Sequence, residues 1–321
     1  MTGSRKTRTE LRWARPEDQP AIRAFLEAVG FVVRPPQTWS ALGMSAATAW
    51  RDGRLLGAIP LEPRRLKVGA ACCLRCLQQT TVAVDPALRG QGIGSALQDF
   101  IADRVGDQAD ALAVYREEPE SAGYRWYRSN GFQPVQRLWI WSRRAASSDK
   151  AELPLKCEPW DAPDVPLAKF EALRQNASAQ SCGLAIPRED RPLVDWLPVH
   201  PYVLARRFEI AWQAEPLSYA LLGRAEDGSV DILEIESEAT GRDALEDLLT
   251  SLCHSAASRG SPQFRMMLAE SDDAAIAAVQ AAGFERLSSM NLLMKPLAAG
   301  LSLDFDAADR SRWRHQAIDY V

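Results

Sequence analysis

The amino-acid sequence predicts two tandem α/β domains, and three observations carry that reading. The 321 residues exceed one ordinary core and suit two domains of about 150 residues each. Segments of strand character alternate with segments of helical periodicity through both halves. Landmarks of the first half recur in the second. Ser95–Ile101 (SALQDFI) stands against Asp243–Leu249 (DALEDLL) at an offset of 148, and Gly131-Phe132 stands against Gly283-Phe284 at an offset of 152. A period of that length signals a duplicated domain rather than a solenoid.

In the first half, Leu11–Arg15 reads as an opening strand and Pro16–Val29 as a helix with a Pro-Glu-Asp start. Ala46–Ala58 reads as two strands joined by the Asp52-Gly53 turn. Leu74–Val84 is apolar and β-branched and stops at Asp85-Pro86, which cannot continue a strand. From Gly92 to Val105, the apolar residues Ile93, Leu97, Phe100, Ile101 and Val105 recur at steps of three and four, the signature of an amphipathic helix. A strand over Ala111–Tyr115, a short helix over Ser121–Asn130 with Gly131 as its left-handed cap, and a strand over Leu138–Ser142 complete this half.

In the second half, Val203–Trp212, Leu217–Leu222 and Val230–Ile235 read as strands. A helix from Asp243 ends at Gly260, followed by a strand over Phe264–Leu268, a helix over Asp272–Ala282 and a closing strand over Met290–Lys295. The expected organisation is a working domain over 1–145, a linker over 146–156, a second domain over 157–297 and a tail over 298–321.

Composition excludes several classes. With 46% hydrophobic and 25% charged residues the chain falls in the range of globular proteins. The apolar runs are short and broken by Arg, Asp or Pro, so none approaches the roughly 20 residues of a spanning helix. The opening MTGSRKTRTELRW lacks the apolar run of a secretory leader, and the cytoplasm is the expected compartment. A net charge of −4 argues against nucleic acid as a partner. Cys72, Cys73 and Cys76 form a CCxxC cluster without a second ligand pair at zinc spacing, so they read as buried free thiols, and no metal is expected.

The sharpest local signal is Thr80–Leu97, where a strand ends and an Arg/Gly-rich loop opens directly into a helix. Free N–H groups at a helix start, together with the positive end of its dipole, suit a diphosphate. Glycines let the backbone approach the oxygens. A Walker loop is excluded because no Lys precedes Ser95, and the dinucleotide fingerprint is excluded because Gly90, Gly92 and Gly94 alternate.

Val84-Asp-Pro-Ala-Leu-Arg89-Gly90-Gln91-Gly92-Ile93-Gly94 resembles motif A of the GNAT superfamily of acyl-CoA-dependent N-acyltransferases, with every motif position filled. The resemblance implies that each domain is a mixed, mostly antiparallel sheet flanked by helices. It implies coenzyme A contacts at Val82, Val84, Arg89, Gly90, Gln91, Gly92, Ile93, Gly94 and Ser95, with acetyl-CoA as co-substrate. The backbone amides of Gln91–Ser95 would hold the diphosphate, and the main chains of Val82 and Val84 would pair with the pantetheine.

Tyr124–Phe132 is similar to the later helix of the superfamily, in which a Tyr four residues before Gly-Phe faces the thioester sulfur. Tyr127 holds that place. The implied reaction is transfer of an acetyl group to a primary amine by direct attack in a ternary complex. Tyr127 would be the acid, and the Val84 amide would polarise the carbonyl. The expected acceptor is a small-molecule or peptide amine, and the expected state is a monomer, with a pseudo-dimer inside one chain, or a homodimer.

Many relatives carry a Glu on the strand before motif A, whereas here that stretch reads Leu77-Gln78-Gln79-Thr80-Thr81. Gln78 or Gln79 could order a water in place of a base. Glu117, Glu118 and Glu120, just after the Ala111–Tyr115 strand, are the nearest carboxylates in sequence to the expected cleft and read either as candidates for the base or as a solvated loop. In the second half Ser237–Arg242 lacks the phosphate-facing glycines, and Val279 replaces the tyrosine, so that half is expected to be inactive. The alternatives from other classes are a non-catalytic acyl-CoA-binding or regulatory module and a protein-interaction scaffold. Pro35, Pro36, Trp39 and Trp50 mark a stiff aromatic segment. It serves either as core or, as the resemblance implies, as acceptor-site lining.

Overall fold

A computed structural model describes residues 8–69, 72–116, 120–144, 155–180, 192–239, 242–257 and 263–305. The first half runs β1 (Glu10–Trp13), α1 (Gln19–Ala28), α2 (Pro36–Ala41), β2 (Ser45–Arg51), β3 (Arg54–Gly69), β4 (Cys72–Gln79), β5 (Ala83–Val84), α3 (Ile93–Val105), β6 (Ala111–Arg116), α4 (Ala122–Ser129) and β7 (Gln133–Arg144). The second half runs β8 (Lys156–Glu158), α5 (Leu167–Gln180), α6 (Leu193–Trp196), α7 (Pro201–Leu204), β9 (Phe208–Ala214), β10 (Leu217–Arg224), β11 (Val230–Ser237), α8 (Arg242–Ala257), β12 (Gln263–Ala269), α9 (Asp273–Ala281) and β13 (Glu285–Pro296). The predicted fold class is thus the one observed: strands that pair mostly antiparallel, flanked by helices.

The chain forms two compact units that do not follow chain order. One takes the described residues of 1–64, 74–135 and 292–303, and the other those of 65–73, 136–291 and 304–321. In the first unit β1, β2, β3, β4 and β6 are successive neighbours, and β13 follows β6. There β4 pairs parallel with β6, at Cys76↔Ala111 through Gln78↔Ala113. Leu293 of β13 packs in one core with Ile101, Tyr127 and Phe132. In the second unit β12 pairs antiparallel with β7, and β11 pairs parallel with β12. β10 pairs antiparallel with both β11 and β9.

The repeat read from the sequence is present in detail. Gly131 and Gly283 both take positive φ, 86° and 79°. Behind each, the Phe N–H reaches back five residues, from Phe132 to Tyr127 O at 3.1 Å and from Phe284 to Val279 O at 3.0 Å. Both turns end a helix with the next strand aimed into a core.

Some elements depart from expectation. Val203 begins no strand: Pro201–Leu204 is a helical turn with Pro at its first position, and β9 starts at Phe208. The strand expected over Leu74–Val84 is broken into β4 and β5. Helix α5 carries no periodic apolar signal because two of its core-facing residues are Phe170 and Arg174, the latter a buried cation. Arg174 Nε donates to Glu234 at 2.7 Å, and the same carboxylate accepts from Tyr219 at 2.5 Å. Cys76 is buried as expected, with its thiol pushed up to about 12 by burial, but Cys73 is exposed. The period-2 alternation of β4 turns the two to opposite sides. The expected helix end at Gly260 and most of the tail lie outside the described residues.

Helix α1 is positioned by a bidentate ion pair. Arg12 of β1 donates to both Asp18 oxygens, at 2.5 and 2.9 Å, and the Arg15 N–H adds 2.7 Å. Hydrogen bonding from Arg12 lowers the Asp18 carboxyl to about 2. A depressed carboxyl stabilises the fold above its unfolded value near 3.9 and loses that contribution as pH falls toward 2. Asp18→Asn is therefore expected to flatten the acid limb of stability between about pH 4 and 2, read as urea midpoints against pH.

Candidate active site

The site begins with an irregularity in the sheet. Thr80 N–H donates to Pro60 O at 3.1 Å, whereas Val84 pairs with Gly57. The β4–β5 side therefore carries one residue more than β3 between those points. This is a β-bulge over Thr81-Val82, which bends the strand away from its other neighbour. Pairing of β4 with β6 accordingly ends at Gln78↔Ala113, and β5 pairs with β3 alone. Between β5 and the Val114–Arg116 end of β6 the strands splay.

The register decides what faces that opening. Asp85 N–H donates to Leu56 O at 2.9 Å, so Asp85 spends its main chain on β3. By the alternation of an antiparallel ladder, the N–H and C=O of Val84, and of Val82 two residues back, point away from β3. Two buried polar atoms nearby have no hydrogen-bond partner among the described residues, Thr81 Oγ1 in the bulge and Arg116 Nε at the end of β6. A splayed strand that turns the Val84 N–H outward beside orphaned polar atoms fits an extended, amide-bearing ligand such as pantetheine.

The chain then turns through Pro86–Leu88, where the Asp85 carboxylate accepts from Ala87 N–H at 3.0 Å and also pairs with Arg54. Arg89 is exposed, and its Nε reaches back to Val84 O at 3.4 Å. Gly90 and Gly92 take φ of 78° and 81°, and a Cβ on either would meet open space. The backbone angle, not crowding, is what requires glycine there. Gly92 is the N-cap of α3 and has no side chain to cap it.

The first intrahelical bond is Ala96 N–H to Gly92 O at 2.9 Å, so the N–H groups of Ile93, Gly94 and Ser95 have no acceptor within the helix. Gln91 also takes part in the turn. Its N–H makes a long contact to Leu88 O, 3.4 Å, and is partly spent in the turn. The donors for an anion are therefore concentrated at Gly92–Ser95.

Gly94 has a second role that the sequence pattern does not show. A Cβ there would stand 3.2 Å from the ring of Trp126 and 3.7 Å from Val84. Trp126 of α4 thus seals onto the start of α3 only because that position is bare. Gly94→Ala is expected to cost about 1–3 kcal/mol of stability, with most of it recovered in the Gly94→Ala/Trp126→Leu double variant. A denaturant double-mutant cycle measures both.

Tyr127 is 1% exposed and makes edge-on contacts with Trp126 and Phe132, at centroid distances of 4.9 and 5.0 Å. Its hydroxyl accepts from Arg116 at 3.4 Å, and the same guanidinium lies 5.1 Å from the ring centre. Burial raises the phenol above its usual value, and Arg116 opposes that shift. Tyr127 is therefore neutral near pH 7, with a cation placed to stabilise the phenolate it would leave. Arg116 is the site residue that the sequence reading missed. It follows the apolar run Ala111–Tyr115, and only the fold brings it to α4.

Gln79 is not available to order a water. Its amide exchanges two bonds with Gln98 of α3, 2.8 and 2.7 Å, in a fully buried pair. Gln78 points to the opposite face. Glu120 is exposed on the surface, and Glu117 and Glu118 lie outside the described residues. Among the described residues no group of three or more His, Cys, Asp or Glu is placed to hold a metal, and no helix is long and apolar enough to cross a membrane. In the second unit Val279 is buried in the core, Glu234 is spent on Arg174 and Tyr219, and Thr240 lies outside the described residues.

Residues 46–134 match the family model described as the acetyltransferase (GNAT) domain.

Solved structures with the same fold share little sequence with it. A tandem GNAT protein from the clavulanic acid biosynthesis pathway is 14% identical, with a TM-score of 0.62, 92% of this chain covered and 100% of that one. A GCN5-related N-acetyltransferase from Sphaerobacter thermophilus is 18% identical, TM-score 0.57, covering 92% and 97%. A probable N-acyltransferase of unknown function from Enterococcus faecalis is 15% identical, TM-score 0.62, covering 91% and 73%. At these identities the likeness speaks to fold. No curated protein matches the chain.

Proposed function

We propose that the chain is an N-acetyltransferase that moves an acetyl group from acetyl-CoA to a primary amine by direct attack in a ternary complex. The observation that carries this is the pairing of an uncapped, glycine-opened helix start with the outward main chain of Val82 and Val84. The N–H groups of Gly92–Ser95 would grip the diphosphate, with Arg89 beside it. The pantetheine would lie along Val82 and Val84 as an added strand.

The amine nitrogen attacks the thioester carbonyl, so a C–N bond forms and the C–S bond breaks. The Val84 N–H donates to the carbonyl oxygen as it gains charge. The sulfur leaves as a thiolate and takes the Tyr127 proton, while the proton shed by the amine passes to solvent. Solvent then restores the phenol. Arg116 holds the phenolate in between. The second unit, lacking both the glycine pattern and the tyrosine, completes the protein without a reaction of its own.

Free-thiol release from acetyl-CoA across a panel of primary amines tests this directly. At least one amine is expected to give turnover above hydrolysis. Tight coenzyme binding with no turnover on any amine would instead favour the acyl-CoA-binding regulatory module.

A further inference from the structure

Arg116 carries more donor capacity than the phenol beside it can use. Its Nη2 donates to the Tyr127 oxygen at 3.4 Å, whereas its Nε is buried without a partner among the described residues. No carboxylate among those residues pairs with it. The other charged groups of this corner are engaged or turned outward. Arg125 and Arg128 of α4 donate to the main-chain oxygens of Glu120 and Phe132. Asp85, where β5 ends, is held by Arg54 and the Ala87 N–H, and Arg89 is exposed on the loop. Arg116 is thus a half-buried cation with no counter-ion among the described residues. Such a charge is costly unless an anion joins it.

Strand β6 delivers that cation to the reacting atoms. Leu112 and Val114 pack in the core with Tyr127, and Arg116, two residues on, projects to the same face by alternation. Pairing of β4 with β6 ends at Gln78↔Ala113, so Arg116 lies past the last paired residue, where the strands have parted. Its guanidinium stands 5.1 Å from the Tyr127 ring centre. A sulfur in hydrogen-bond reach of the Tyr127 oxygen would lie at most about 7 Å from Nη2, even with both contacts in line.

We propose that Arg116 is a catalytic residue in its own right: it donates a hydrogen bond to the departing sulfur of the coenzyme and shares the thiolate charge. It does so in addition to supporting the Tyr127 phenolate, and the inference rests on the acyl-transfer reading. As the C–N bond forms, the electron pair of the breaking C–S bond collects on sulfur. A guanidinium transfers no proton, so Tyr127 supplies it or, in a variant without the hydroxyl, solvent does. The anion that Arg116 lacks comes into being only as that bond breaks. The contact is therefore stronger in the transition state than before it, the condition for raising kcat.

The test titrates the thiol of coenzyme A bound to the intact chain, read as thiolate absorbance. The complex with desulfo-coenzyme A is the reference, so the protein's own thiols cancel. The bound thiol is expected to titrate about one pH unit or more below free coenzyme A. Arg116→Gln should abolish that shift, Arg116→Lys should keep part of it, and Tyr127→Phe should keep most. In the Tyr127→Phe background, adding Arg116→Gln should lower kcat at least about tenfold further, with KM for acetyl-CoA within about twofold. A residue that only supported the phenol would have no further effect once the hydroxyl is gone. Arg116→Lys is the second probe, since it keeps the charge and the length of the side chain.

A bound thiol that titrates like the free one, a shift untouched by Arg116→Gln, or no added loss in the double variant would overturn the proposal. The two readings fail differently. A shift that Arg116→Gln removes, with no thiol release from any amine, sinks the transferase reading and keeps the contact to sulfur. Turnover with an unshifted thiol sinks this inference alone, and failure of coenzyme A to bind sinks both.

Discussion

Gly92→Glu is expected to abolish acetyl-CoA binding while leaving the fold intact. Gly92 sits at φ 81° as the cap of α3, open to solvent on its Cβ side, so the new side chain has room but must adopt a left-handed backbone. That conformation costs a non-glycine residue roughly 1–2 kcal/mol. The larger effect is charge. A carboxylate beside the helix start stands where a diphosphate has to sit, and affinity should fall by about a hundredfold or more. Gly92→Gln separates the two contributions, since it keeps the backbone penalty and removes the charge. Calorimetry should then show a smaller loss than for Glu. Because like-charge repulsion is screened by salt, the gap between the two variants should narrow at high ionic strength.

The second large effect is expected at Tyr127. Replacement by Phe keeps the edge-on packing with Trp126 and Phe132 and removes only the hydroxyl that Arg116 contacts. Coenzyme affinity should be unchanged, while kcat should fall by about 10²-fold or more, the usual range for a positioned acid. Burial raises this phenol, so in the native protein it stays protonated across the neutral range. The loss in Tyr127→Phe should therefore be the same at pH 6 and pH 8. A variant that turns over like the native protein would remove Tyr127 as the acid and leave the sulfur to depart unaided.

Both expectations rest on features legible in the amino-acid sequence, and the reason is local. The glycine alternation, the strand before it and the amphipathic helix after it lie within eighteen consecutive residues, and local physics sets their conformation. The Gly131 and Gly283 turns were legible for the same reason, since a helix that ends on a left-handed glycine announces itself.

What could not be read depends on partners distant in the chain. The bulge at Thr81-Val82 is set by register against β3, and nothing in Thr80–Val84 marks it. Gln79 looked available until the fold paired it with Gln98, nineteen residues away. Arg116 reads as the end of a strand, and α4 alone gives it a role. Helix α5 was invisible because Arg174 takes a core position, where a cation is stable only with Glu234 buried opposite. The boundary near residue 146 divides the chain in sequence, whereas the compact units are composed in space: β7 contributes residues to the second unit and β13 to the first.

The central claim is that main-chain donors at the start of α3 hold a diphosphate. The most direct measurement is a crystal structure of the intact chain with coenzyme A. The account predicts diphosphate oxygens within hydrogen-bond distance of the N–H groups of Gly92–Ser95 and a pantetheine lying along Val82 and Val84. A coenzyme bound elsewhere, or a turn at Arg89–Gly92 closed over those amides in the presence of saturating ligand, would contradict it.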